Sequence, residues 1–185
     1  RKSWKYFWLV DPLDGTKEFV NKRGDFTVNI ALIEFGTPVL GVVYAPESNV
    51  LYYAVKNHGA FKVGNGNLPQ KLPVPQSAKG RTLIVASRSH MSPETRKYIQ
   101  EKFHDESSYE IVSVGSSLKI CLVAEGTADI YPRLGPTMEW DTAAAHAIVL
   151  ESDKRFNIVD DNGRDTNRPV VYNKENLLNP WFVVK

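Results

Sequence analysis

The sequence predicts an α/β fold of layered construction, an antiparallel meander half followed by a smaller α/β half. Three observations predict it. Residues 26–63 carry short apolar runs separated by tight turns, as in antiparallel strands joined by hairpins. From Leu83 onward, β-type runs alternate with segments of helical character, the mark of an α/β layer. Between the two, residues 64–80 gather Pro69, Pro73 and Pro75 among glycines and polar residues, the expected junction between units 1–78 and 79–185.

In chain order, residues 4–10 are aromatic and aliphatic apart from Lys5 and read as a strand buried on both faces. Asp11 then stands at its carboxyl end, because Pro12 fixes its own φ, lacks an N–H and stops the strand. Asp14-Gly15 bends the chain, and residues 17–24 read as a polar loop or short helical turn. Strands are expected over residues 26–35, 39–45, 50–55 and 60–63. In the second half, residues 83–86 read as a buried strand. Ser92-Pro93-Glu94 offers an N-cap, a proline at the first helical position and an acidic first turn, with Tyr98, Ile99 and Phe103 turned to the core. A strand over 110–114 leads through Gly115-Ser116-Ser117 to a helix ending at Gly126. A short strand over 129–131 precedes an Ala-rich helix from Trp140 to about Leu150, with Asp141 as its N-cap. Strands over 156–159, 170–172 and 181–184 close the chain.

Composition narrows the function classes. A net charge of +2 over 185 residues, with Lys and Arg dispersed, argues against a nucleic-acid-polymer surface but permits a local anion pocket. One cysteine, Cys121, in an apolar setting excludes an internal disulfide and a cysteine metal cluster. No run approaches the ~18 apolar residues of a membrane span, and no signal peptide is visible. A cytoplasmic location is expected, with peripheral attachment to the inner membrane as the alternative.

The chemistry concentrates at Asp11-Pro12-Leu13-Asp14-Gly15-Thr16. Two carboxylates three residues apart on a tight turn can converge on one point, while the N–H groups of Gly15 and Thr16 can face an anion. Carboxylate oxygens suit a hard cation such as Mg²⁺, and Mg²⁺ suits phosphate. A plain surface turn has the same composition, and spacing alone does not separate the two. Asp141 alone is explained as an N-cap; ahead of three alanines that let a helix approach a neighbour closely, it is a candidate third carboxylate. The aspartates of a haloacid-dehalogenase-type phosphatase would stand two apart, not three. Asp160-Asp161-Asn162-Gly163 starts like a calcium loop, but Val171 occupies the position of the bidentate glutamate, so it reads as a hairpin turn.

Taken together, the Asp11–Thr16 motif and Trp140-Asp141-Thr142-Ala143-Ala144 resemble the two-part signature of the inositol monophosphatase superfamily, Mg²⁺-dependent and Li⁺-sensitive phosphatases of the layered sugar-phosphatase fold. Five further features resemble its bacterial 3'(2'),5'-bisphosphate nucleotidase branch: Lys17-Glu18-Phe19, Ala86-Ser87-Arg88-Ser89-His90, Gly115-Ser116-Ser117-Leu118-Lys119, Ala124-Glu125-Gly126 with Tyr131-Pro132-Arg133, and Leu178-Asn179-Pro180. The resemblance implies hydrolysis of the 3'-phosphate of 3'-phosphoadenosine 5'-phosphate, a by-product of sulfate activation. It implies metal ligation by Asp11, Asp14, Asp141 and the Leu13 carbonyl, and activation of the attacking water by Thr16. The Gly15 and Thr16 amides would hold the reacting phosphate, and His90, Ser116, Lys119 and Arg133 would hold the nucleotide. In isolation, a Lys or Arg near a turn is ordinarily solvated. The family also has an amino-terminal region that supplies a glutamate ligand and an acidic partner for the threonine. Neither maps onto this chain, which is expected to be the carboxyl-terminal two-thirds of an enzyme whose preceding segment completes the site. An inositol or sugar phosphatase keeps the chemistry and changes the substrate; a non-catalytic nucleotide-binding module is the alternative of another class.

Overall fold

The computed structural model describes residues 1–64, 66–75, 80–87 and 91–185. Six strands in chain order form one antiparallel sheet: β1 (Tyr6–Asp14), β2 (Thr27–Glu34), β3 (Thr37–Ala45), β4 (Val50–Val55), β5 (Gly59–Gly64) and β6 (Gln70–Lys71). The short α1 (Thr16–Val20) lies between β1 and β2. The expected meander is therefore present, each strand beside its predecessor. The later segments are β7 (Thr82–Ser87), α2 (Pro93–Lys102), β8 (Tyr109–Val114), α3 (Leu118–Glu125), β9 (Tyr131–Arg133), α4 (Glu139–Leu150), β10 (Phe156–Val159), β11 (Asp165–Pro169) and β12 (Phe182–Val184). β7 and β8 pair in parallel around the α2 crossover, and β11-β10-β12-β9 make an antiparallel sheet of four.

Helices α3 and α4 pack between the six-stranded sheet and the carboxyl-terminal sheet. One core joins Ala31, Ile33, Val43 and Tyr52 of the first sheet to Cys121, Ala144 and Ile148 of the helices and to Phe156 and Phe182 beyond them. The layered sandwich is thus as expected. α4 is buried on nearly every side from Thr142 to Val149, which is how an Ala-rich helix without a polar face is accommodated. Its alanines meet the strand that lacks a side chain at the crossing: a Cβ on Gly41 would lie 2.1 Å from the Ala144 carbonyl oxygen. Among the described residues no helix is long and apolar enough to cross a membrane. The expected boundary at 78/79 falls within residues 76–79, outside those described.

Five sequence expectations are corrected. β1 is the edge of its sheet, alternating exposed and half-buried residues, with Trp8 58% exposed and Trp4, just before the strand, 59%, so its bulky run is not buried on both faces. Nor does Pro12 end it. An edge strand can leave its outer side unpaired, so a residue without an N–H is tolerated at an edge bulge. α4 starts at Glu139 with Met138 as N-cap, so Asp141 is the third helical residue; its carboxylate reaches back to accept the Met138 N–H at 2.8 Å, the acidic half of a capping box. The strand expected at 129–131 is β9, Tyr131–Arg133. Near the end, the strand beside β10 is the polar Asp165–Pro169, whereas Val170 and Tyr172 bury their side chains. Between β10 and β11, residues 160–163 make the expected hairpin turn: the Asp160 carboxylate accepts the Asn162 and Arg164 N–H groups, and Gly163 takes φ 74°.

Candidate active site

The site begins with the irregularity in β1. Asp11 pairs with Asn29 and Asp14 with Thr27, so a three-residue step on β1 faces a two-residue step on β2. Residues three apart in a regular strand point to opposite faces; a bulge cancels that offset. Asp11 and Asp14 thereby share one face. α4 brings Asp141 to the same place, and one carboxylate oxygen from each of the three lies within 4.8 Å of the others. Two carboxylates of one turn and a third from far along the chain thus converge.

Each is anchored by one oxygen. Asp11 Oδ1 accepts the Leu13 N–H at 3.0 Å, and Asp141 Oδ2 accepts the Met138 N–H. Asp14 Oδ2 accepts the Ser117 N–H at 2.6 Å, with the Asn29 amide at 3.3 Å and the Thr27 hydroxyl at 3.4 Å. The second oxygen of each accepts no hydrogen bond from the described residues. Burial raises the pKa of all three, and mutual repulsion adds to it for Asp14 and Asp141; Asp141 is pushed up to about 6. A cluster of carboxylates resists ionisation in this way when no cation neutralises it. Three carboxylates, each with one oxygen fixed by a hydrogen bond and together offering hard oxygen donors within 4.8 Å of one another, fit a small divalent cation.

Beside the cluster lies a cavity of about 280 Å³. Asp14, Gly15, Thr16, Ser116, Lys119, Arg133 and Asp141 line it; Asp11 joins the carboxylates without lining it. Leu13 sits in the bulge, and His90 lies outside the described residues. Gly15 takes φ 87° as the N-cap of α1, and a Cβ there would lie 3.0 Å from the Asp25 carbonyl, so the turn that presents Thr16 requires glycine. Ser116 also takes a positive φ, 48°, and its carbonyl accepts a short hydrogen bond from Lys119 Nζ. Lys119 is almost wholly buried, its ammonium over the Tyr131 ring. Burial lowers its pKa to about 8, against the pull of Asp14. Arg133 donates to the Pro136 carbonyl at 2.8 Å. The cavity therefore sets an edge of carboxylates against an edge that carries the basic side chains of Lys119 and Arg133.

Sequence reasoning missed what holds Asp14. Thr27, Asn29 and Ser117 are buried and bonded to one another, Ser117 Oγ lying 2.8 Å from both Asn29 Oδ1 and Thr27 Oγ1. A signal was present: Thr27 and Asn29 share strand parity with the core residues Ala31 and Ile33, and polar residues on the buried face of a strand need partners.

The profile of the inositol monophosphatase family matches residues 1–178. The chain is 47% identical over 185 residues to the 3'(2'),5'-bisphosphate nucleotidase CysQ of Shigella flexneri and 46% identical to that of Escherichia coli K12, covering all of this chain and 70% of each relative. Among solved structures, CysQ from Bacteroides thetaiotaomicron superposes with a TM-score of 0.92 at 44% identity, over the whole of this chain and 71% of that one. A staphylococcal IMPase-II superposes with a TM-score of 0.73 at 25% identity, over 100% of this chain and 68% of that one.

Proposed function

This chain belongs to the inositol monophosphatase family, and on that premise we propose that it hydrolyses the 3'-phosphate of 3'-phosphoadenosine 5'-phosphate, releasing AMP and phosphate, with Mg²⁺ as cofactor. The observation that carries the reading is the convergence of Asp11, Asp14 and Asp141 beside a cavity that also holds Lys119 and Arg133. A substrate with two phosphates needs two anion sites, one at the carboxylate–cation edge and one at fixed cationic side chains. Identity favours the nucleotide over inositol phosphate, at 47% to the named nucleotidase against 25% to the staphylococcal IMPase-II.

In this reading Asp11, Asp14, Asp141 and the Leu13 carbonyl hold the cation. Bound there, the cation would supply acidification of a water and neutralisation of charge on the phosphoryl oxygens. Thr16 would orient the attacking water and take part in its deprotonation, and the Gly15 and Thr16 amides would cradle the reacting phosphate. Ser116, Lys119, Arg133 and His90 bind the rest of the nucleotide. Lys119 is fixed on the Ser116 carbonyl before substrate arrives, so little ordering is left for binding to accomplish. The chain spans about 70% of its curated relatives. The exposed aromatic face formed by Tyr6 and Trp8 of β1 and by Trp4 just before it supports an amino-terminal segment that covers it and completes the site. The physiological setting is nucleotide recycling in sulfate assimilation, in the cytoplasm.

A substrate panel tests the assignment. Phosphate release from the bisphosphate nucleotide is expected to exceed that from inositol 1-phosphate by at least tenfold in kcat/KM. Faster release from inositol 1-phosphate overturns the substrate, and nucleotide binding indifferent to Mg²⁺ with no phosphate release overturns the enzyme.

A further inference from the structure

Asp141 is anchored to the Met138 N–H, so its position is inherited from the chain around Met138. One side chain bonds that chain at three points. The Asn179 amide nitrogen donates to the Met138 carbonyl at 2.8 Å, the Thr142 hydroxyl at 3.0 Å and the Thr137 hydroxyl at 3.2 Å, while the Asn179 backbone N–H donates to the Thr137 carbonyl at 2.8 Å. Two amide hydrogens serve three acceptors, so one is shared. Leu178 makes a β-bridge with Met138. Asn179 thus grips α4 on both sides of Asp141, from the residue that caps the helix to the residue that follows the carboxylate.

An ion pair with a fully buried carboxylate adjoins the grip. Glu139, 0% exposed, accepts the Asn173 and Lys174 N–H groups at 2.8 and 3.0 Å and Lys174 Nζ at 2.6 Å. Lys174 Nζ also reaches the Asn179 Oδ1 at 3.4 Å, fixing which way the amide faces. A buried ion pair is poor evidence for stability, since apolar residues of the same volume commonly do as well; a role in fixing geometry accounts for it better. We propose that Asn179, held by the Glu139–Lys174 pair, is the positioning residue that sets the Asp141 carboxylate for divalent-cation binding. The inference rests on the reading of the carboxylate cluster as a cation site, though not on which phosphate ester is hydrolysed.

The test compares Asn179→Leu and Lys174→Met with Ser152→Ala in the full-length protein. Ser152 is fully buried just beyond the far end of α4 and donates to the Val149 carbonyl, so its loss destabilises the helix without touching Asp141. The readouts are the Mn²⁺ dissociation constant by electron paramagnetic resonance, the thermal midpoint of the metal-free protein, and KM for the nucleotide at saturating Mg²⁺. Asn179→Leu and Lys174→Met are expected to weaken Mn²⁺ by about tenfold or more, the usual effect of removing a group that orients a ligand. Ser152→Ala is expected to bind Mn²⁺ as the wild type does, and KM is expected to stay within twofold in all three. Should Asn179→Leu fail to fold, Lys174→Met carries the comparison alone. Mn²⁺ affinity within twofold of wild type in the folded variants, or equal weakening by Ser152→Ala, overturns the proposal. A wild-type protein that binds Mn²⁺ but leaves the nucleotide intact overturns the substrate assignment alone; one that binds no Mn²⁺ overturns both.

Discussion

Gly41→Ala adds a single methyl group at the crossing of β3 and α4, about one turn along α4 from Asp141, and is expected to damage the site all the same. The new Cβ would stand 2.1 Å from the Ala144 carbonyl oxygen and 2.8 Å from the Ala147 Cβ. Ordinary contact is about 3.5 Å, so α4 must withdraw by more than about 1 Å. Neither obstacle is the end of a flexible side chain, so nothing rotates out of the way. Overpacking of this kind costs about 1–3 kcal/mol. The opposing gain, from stiffening the unfolded chain at a former glycine, is about 0.4–1 kcal/mol and does not offset it. For a chain of this size the net loss lowers Tm by about 2–4 °C per kcal/mol. Asp141 lies one turn before Ala144 on the same rigid helix, and a displacement of about 1 Å at a reacting centre can reduce turnover about a hundredfold. Thermal unfolding and a Mg²⁺ titration of phosphate release measure both consequences. Gly80→Ala is the control, with nothing within 4 Å of the added Cβ. A Gly41→Ala enzyme with the wild-type Tm and wild-type Mg²⁺ dependence would refute the claim that close helix–strand approach places Asp141.

Two further predictions address the anion edge and pH. Lys119→Ala is expected to raise KM for the bisphosphate nucleotide by at least tenfold while kcat falls less; an unchanged KM removes Lys119 from the nucleotide site. His146 is fully buried between Phe156 and Tyr172, with Nδ1 2.9 Å from the Tyr172 hydroxyl, and burial lowers its pKa to about 3. Unfolded, it titrates near 6.5, so the unfolded chain binds the extra proton between the two values. Its contribution is complete above pH 6.5 and is lost as the pH falls, by about 1.4 kcal/mol per unit. The stability gap between wild type and His146→Phe is therefore expected to shift in the variant's favour from pH 7 to pH 5; a gap constant over that range contradicts the assignment.

Legibility followed the range of the interactions. Thr82–Ser87 and the Ser92-Pro93 start of α2 were readable because run length, cap and helix start are local, and the Ser92 hydroxyl indeed accepts the Thr95 N–H at 3.1 Å. The small residues of α4 were read as a close-approach surface, but their partner Gly41 came only with the fold. β1 was misread because an edge strand with bulky residues on its open face has the composition of a buried one. The bulge that aligns Asp11 with Asp14 depends on register with β2, which no spacing within β1 reveals. Asp141 reads as the cap because both positions of a capping box favour polar or acidic residues, and the true N-cap, Met138, carries none of the usual signal. Asn179 stood out in the sequence only through resemblance; its grip on Met138 and Thr142 spans about forty residues of chain.

The most direct test of the cation site is Mg²⁺-dependent phosphate release from 3'-phosphoadenosine 5'-phosphate by the full-length enzyme and its Asp14→Asn and Asp141→Asn variants. Each substitution keeps the shape of the side chain and removes the charge. Both variants are expected to fold and to lose at least about two orders of magnitude in kcat, the scale of removing one group that stabilises transition-state charge. Either variant turning over within tenfold of wild type at the same Mg²⁺ concentration would contradict the assignment of the three converging aspartates.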